Sequence, residues 1–319
     1  MDEMEVSENR WVPFDLTCEP STLVNDLRSG IDNGTPVDLP FLHNKTVVLI
    51  GDSIERVQLD QFCSIAGGSL AIISPSHPLA SANYTELLPF EKAGNQHPTE
   101  AIEDEIFPHI CYLEQYNFVM ISLYTYGLST PEEFARGQLY DSPSYQAPAA
   151  TVDRIQYQLL PLLDKLGREP DLIEFSSLYS DLKHYSQSDK THHAGMEAAA
   201  WAPLSQTRLE KYQEALSENF LTLAEIFPDT KRILWRAAHL PRETWEVPYE
   251  RVVAMEAAAD FVVDKLRKGQ ESGKTWKKWM QSFGRHFKKK VVDAEAELEA
   301  LLAEKIGINP VGKLLAGMQ

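Results

Sequence analysis

Thr46-Val47-Val48-Leu49-Ile50-Gly51-Asp52-Ser53-Ile54-Glu55-Arg56 is the stretch that decides the fold. Its first five residues form a continuous, mostly β-branched run, the pattern of a strand buried on both faces of a parallel sheet. Gly51 permits a tight turn. Residues 54–66 then place Ile54, Val57, Leu59, Phe62 and Ile65 mostly at helical spacing. A strand–turn–helix unit of this kind sets Ser53 at the carboxyl edge of the sheet, where α/β proteins bind ligands. The helix start supplies N–H groups and positive potential for a developing oxyanion. The plainer alternative is that Asp52 or Ser53 only caps the helix.

Working outward, the same texture repeats. Residues 69–73 read as a second strand and 76–110 as loop-rich chain. Residues 117–123 read as the next buried strand, ending near Tyr126-Gly127. A helix is expected over 150–167, a strand over 171–176, a long amphipathic helix over 205–227 and a strand over 231–236. Residues 182–204 are polar and rich in small side chains, which predicts a lid or loop. Strands alternating with helices imply crossovers and a parallel sheet flanked by helices in three layers. Helices alone are expected beyond residue 250. The division is therefore an irregular segment 1–44, an α/β domain 45–255 and a helical extension 256–319.

The 319-residue chain is 43% hydrophobic, enough for a sizeable core. Its formal charge of −17 repels a phosphate backbone and argues against nucleic-acid binding. With three cysteines it is no disulfide scaffold; Cys63 and Cys111 stand where a bridge could join the first helix to the chain before the 117–123 strand, and in a reducing cytosol they would be buried thiols. Met1-Asp2-Glu3-Met4-Glu5 is acidic, with no apolar segment behind it, and no run of about 18 apolar residues occurs. As written, the chain reads as cytoplasmic. Three glycosylation sequons, beginning at Asn33, Asn44 and Asn83, pull toward a secretory origin, which would require an incomplete N-terminus. No metal-ligand cluster, Walker loop or dinucleotide fingerprint is present, so neither metal nor cofactor is expected.

Gly-Asp-Ser-x-x-Arg after a hydrophobic strand resembles the first block of the SGNH (GDSL-type) hydrolases. More narrowly, the chain is similar to fungal SGNH-like proteins related to the PC-esterase and trichome-birefringence-like acyl-ester enzymes. Arg10-Trp11-Val12-Pro13, Asp60-Gln61-Phe62-Cys63, His109-Ile110-Cys111, the stretch from Pro170 to Ser177, and Ile233-Leu234-Trp235-Arg236 with His239 follow in the same order. The resemblance covers about residues 10–255. It implies a flavodoxin-like α/β fold without cofactor. It also implies a serine esterase or O-acyltransferase acting on a small or carbohydrate acyl ester.

In that family pattern Ser53 is the nucleophile, with Asp52 and Arg56 beside it in the first block. Gly127 matches the second-block glycine, an oxyanion donor. The third block departs from the pattern: Ser177-Leu178-Tyr179-Ser180-Asp181 keeps only the final acidic position, Asp181. The family's C-terminal Asp-x-x-His, which supplies the general base, has no counterpart after residue 192. The one Asp-x-x-His in the chain is Asp189-Lys190-Thr191-His192; His239 is the other histidine placed to approach the site. A serine needs such a base to become a nucleophile. The rival expectation is therefore an inactive descendant of the fold that binds or scaffolds. Residues 274–290 combine Trp276, Trp279, Met280, Phe283 and Phe287 at helical spacing with many lysines. That helix either packs on the domain with a solvated basic face or makes a peripheral membrane or protein contact.

Overall fold

The computed structural model describes residues 23–33, 39–81, 107–128, 150–192, 202–230, 232–237 and 249–271. The expected helix over 274–290, His239 and the sequon at Asn83 lie outside them. The chain divides into two compact units, Met1–Asp260 and Phe261–Gln319.

Six strands form one sheet: β1 (Thr46–Gly51), β2 (Ser69–Ile72), β3 (His109–Leu113), β4 (Phe118–Tyr124), β5 (Leu172–Phe175) and β6 (Arg232–Trp235), in the order β2-β3-β4-β1-β5-β6. β4, β1, β5 and β6 are mutually parallel, with Val48 opposite Ile121 on one side and Ile173 on the other. β1 therefore sits between two neighbours, and Val48 and Ile50 are fully buried. This is the α/β class read from the sequence.

The sheet is mixed, however, because β3 runs antiparallel to both β2 and β4. β3 lies partly in the segment expected to be loop. The reason is the connection: a single 3-10 turn, Glu114–Tyr116, joins β3 to β4. A parallel pair needs a crossover of about a dozen residues or more. So short a link can only reverse the chain.

The helices are α1 (Leu23–Asp32), α2 (Ser53–Ile65), α3 (Thr151–Arg154, a π-helical turn Ile155–Leu159, then Leu160–Leu166), α4 (Tyr179–His192), α5 (Gln206–Ile226) and α6 (Tyr249–Glu271). Two of them correct the sequence reading. The segment 1–44 is not wholly irregular: α1 buries Leu27 in a cluster with Leu42, Leu49, Leu59, Tyr116 and Phe118. Residues 182–192 are helix rather than lid. The buried face of α4 is Asp181, Leu182, His184, Ser186 and Ser188. Its inward side is mostly polar, so hydrophobic periodicity carries no trace of it.

Candidate active site

Because four strands are parallel, their carboxyl ends share one edge, and hydrogen bonds carry the alignment past the strands. The Thr125 N–H donates to Gly51 O at 2.6 Å, Ser176 N–H to Ile50 O at 2.8 Å, and Arg236 N–H to Phe175 O at 3.0 Å. The turns after β4, β1, β5 and β6 thus stand side by side.

At the centre is the turn after β1. Asp52 is the N-cap of α2: its Oδ1 accepts the Ile54 N–H at 2.9 Å. Capping is therefore done by Asp52, which is 7% exposed, and Ser53 is left as an exposed first residue of α2 at the positive end of its dipole. Arg56 follows in the same first turn, half-buried. Gly51 is not needed for a left-handed turn; it is the last residue of β1 and stands outside the positive-φ glycines. It is glycine for a steric reason. A Cβ there would overlap the carboxylate of Glu55, one helical turn further on.

The turn after β4 meets the start of α4. Gly127 has φ +93°, which L side chains rarely adopt, and a Cβ on it would lie 2.5 Å from Asp181 Oδ1. Asp181 is fully buried. Its Oδ1 accepts the Leu128 N–H at 2.7 Å, and its Oδ2 accepts the Ser177 hydroxyl. Tyr212 donates to Ser177 O at 2.7 Å, and burial, then the negative charge of Asp181, pushes its phenol well above the ordinary range. The structure therefore joins the Gly127 turn to Asp181. It sets Asp181 beneath the loop as its anchor, not on the open face.

A third group, Glu55 with Arg236, was not legible as functional. Glu55 is two residues beyond Ser53 and fully buried, and its carboxylate pairs with the Arg236 guanidinium just past β6. Arg236 also lies 3.1 Å from Glu174 on β5 and donates to Ser176 Oγ at 3.1 Å. In the sequence Glu55 is one acid in a helix's first turn, with nothing local to set it apart. The signal that could have found it is positional: charged residues just past parallel strands converge on one edge.

Burial raises the Glu174 carboxyl above its ordinary 4.5, despite the nearby arginine. Arg236 is shared between Glu174 and the fully buried Glu55, and at Glu174 desolvation wins. A carboxyl whose folded pKa is raised contributes its stability below the unfolded value and loses it as pH rises through the folded one. Wild type should therefore lose stability relative to Glu174→Gln between pH 4 and pH 7, compared by urea midpoints. A difference that moves in favour of wild type at pH 7 would mean that Arg236 dominates instead.

The Asp189–His192 pair is not brought to this edge. Asp189 is held by Arg208 at 2.5 Å and by the buried Arg251 at 2.8 Å. His192 ends α4, about 20 Å along the helix axis from its first turn at 1.5 Å per residue. Of the other described histidines, His109 bonds Asp60 at 3.0 Å, His77 Nδ1 accepts the Leu79 N–H at 3.1 Å, and His43 packs edge-on against Tyr116. Among the described residues no cluster could hold a metal ion, and no helix is long and apolar enough to cross a membrane.

The chain matches no known family model, no curated protein and no solved structure.

Proposed function

We propose that this chain is a serine esterase or O-acyltransferase for small or carbohydrate acyl esters, with Ser53 as its nucleophile. The observation that carries this reading is the exposed Ser53 on the first turn of α2, relieved of capping by Asp52, at the shared carboxyl edge. In this mechanism Ser53 Oγ attacks the ester carbonyl while a base takes its proton. The tetrahedral oxyanion forms against the N-terminus of α2, where backbone N–H groups stabilise it. Collapse expels the alcohol and leaves an acyl-Ser53, which water or an acceptor alcohol then releases. Glu55 and Arg236 act as positioning residues that fix the Gly51-Asp52-Ser53 turn.

The base in this reading is His239. It follows Arg236 by three residues, a span of at most about 11 Å, and Arg236 is tied to the same helical turn as Ser53. Asp189, held by Arg208 and Arg251, is assigned a structural role.

A second reading, a binding protein on the same scaffold, is favoured by one observation: Asp189 is neutralised by two arginines and cannot orient a catalytic imidazole. Labelling with a fluorophosphonate serine probe separates the two. The enzyme reading expects labelling that disappears in Ser53→Ala and falls at least about 100-fold in His239→Ala, the scale of general-base catalysis. Labelling that persists in a folded Ser53→Ala protein rejects Ser53. No labelling of folded wild type shifts the assignment to the binding reading.

A further inference from the structure

The opposite, amino edge of the sheet carries a different kind of site. Asn44-Lys45-Thr46 is a sequon that runs into β1, and it is the one whose three residues are all described. Asn44 is exposed and left-handed, φ 57°, a conformation that asparagine tolerates better than most residues. Its amide orientation follows from its neighbours. Arg168 Nη2 donates to Asn117 Oδ1, and a guanidinium can only donate. Tyr112 donates to the same oxygen at 3.3 Å. Asn117 must then offer Nδ2 on its other side, and that group donates to Asn44 Oδ1 at 2.8 Å. The oxygen of Asn44 is thus turned inward, and its nitrogen is the branch left for attachment. Beside it lies a polar groove of about 460 Å³, lined in part by Asn117, Gly167, Arg168 and Glu169, with hydrogen-bonding partners for a first sugar.

A second, independent observation concerns compartment. Cys63, near the end of α2, and Cys111, in β3, are joined in a disulfide across 48 residues. Both are essentially inaccessible, and Gly68 packs so closely that a Cβ there would come within 3 Å of both sulfurs. Such structural bridges persist in oxidising compartments and are rare in the cytosol.

We propose that Asn44 is an N-glycosylation site and that the chain folds in the oxidising secretory compartment, where Cys63 and Cys111 are joined. In the transfer, Asn44 Nδ2 bonds the anomeric carbon of a lipid-diphosphate-linked oligosaccharide. The anomeric carbon–oxygen bond breaks, the lipid diphosphate leaves with its electron pair, and one amide proton is released. The two thiols give two electrons and two protons to the disulfide of a thiol oxidoreductase, which is left as a dithiol. Transfer acts on chain that has not yet folded, so burial of Thr46 in the finished strand is no obstacle.

The test uses protein isolated from the cells that make it. Its peptides are treated with an amide-cleaving N-glycosidase in heavy-oxygen water, and a second sample is alkylated before reduction. The expected result is Asn44 recovered as aspartate carrying heavy oxygen, with Cys63 and Cys111 alkylated only after reduction. Thr46→Ser should keep the modification, and Thr46→Val, which preserves the branched shape but not the hydroxyl, should lose it. Asn44 recovered only as unmodified asparagine overturns the proposal, as does alkylation of both cysteines without reductant.

Discussion

Arg236→Met is expected to lower unfolding stability by about 3–5 kcal/mol, the cost of leaving one charge of a buried pair without its partner. Glu55 is fully buried, and Arg236 is the cation that faces it, with 15% of its own side chain exposed. Removing the arginine strands the carboxylate where water cannot reach it, and a methionine of similar length offers no donor. Glu55→Gln should cost less. In that variant Arg236 keeps Glu174 at 3.1 Å and Ser176 Oγ at 3.1 Å, and its exposed fraction stays solvated. The order of the two losses is therefore part of the expectation. Urea unfolding followed by circular dichroism measures both. A loss below about 1 kcal/mol for Arg236→Met, the scale of a surface pair, would show that the cluster is solvated rather than buried. Because Glu55 lies two residues from Ser53, serine-probe labelling should also slow in any Arg236 variant that still folds.

The second large effect is expected at the Cys63–Cys111 bridge. Chain-entropy reasoning puts the stabilisation from closing a 48-residue span at about 4 kcal/mol. It acts on the unfolded chain, which loses freedom when α2 and β3 are tied together. The folded core around the bridge, with Leu59, Ala66 and Leu113, should change little on reduction. Urea midpoints with and without reductant should therefore differ strongly, and Cys63→Ala/Cys111→Ala should match the reduced wild type to within its small cavity cost. Equal midpoints in the two conditions would mean that the sulfurs are thiols in solution.

Much of the fold was legible because parallel strands buried on both faces must be apolar throughout. Thr46–Ile50 and 117–123 announce themselves largely in that way, and 171–176 does so through Leu172, Ile173 and Phe175; each is a strand within a residue or two. The antiparallel β3 was hidden by its setting. His109 and Cys111 flank a single isoleucine, and neither names a strand until β2 and β4 pair with it. α4 was hidden because its buried side is polar; the hydrogen bonds that make that burial tolerable come from elsewhere in the chain. Asp181, for example, is satisfied by Leu128, 53 residues away.

The sequence by itself determined the α/β class and the place of Ser53 at the end of the first core strand. These follow from local rules: strand burial, helix starts and the shared edge that parallel strands impose. Only the tertiary structure decided that Gly51 is glycine to admit the Glu55 carboxylate, that Arg236 closes that pair, and that Asp189 belongs to Arg208 and Arg251. Each of these depends on which charges meet in space. Periodicity records how strongly a segment avoids water; the identity of a buried charge's partner lies on another strand or helix, and only the folded chain brings the two together.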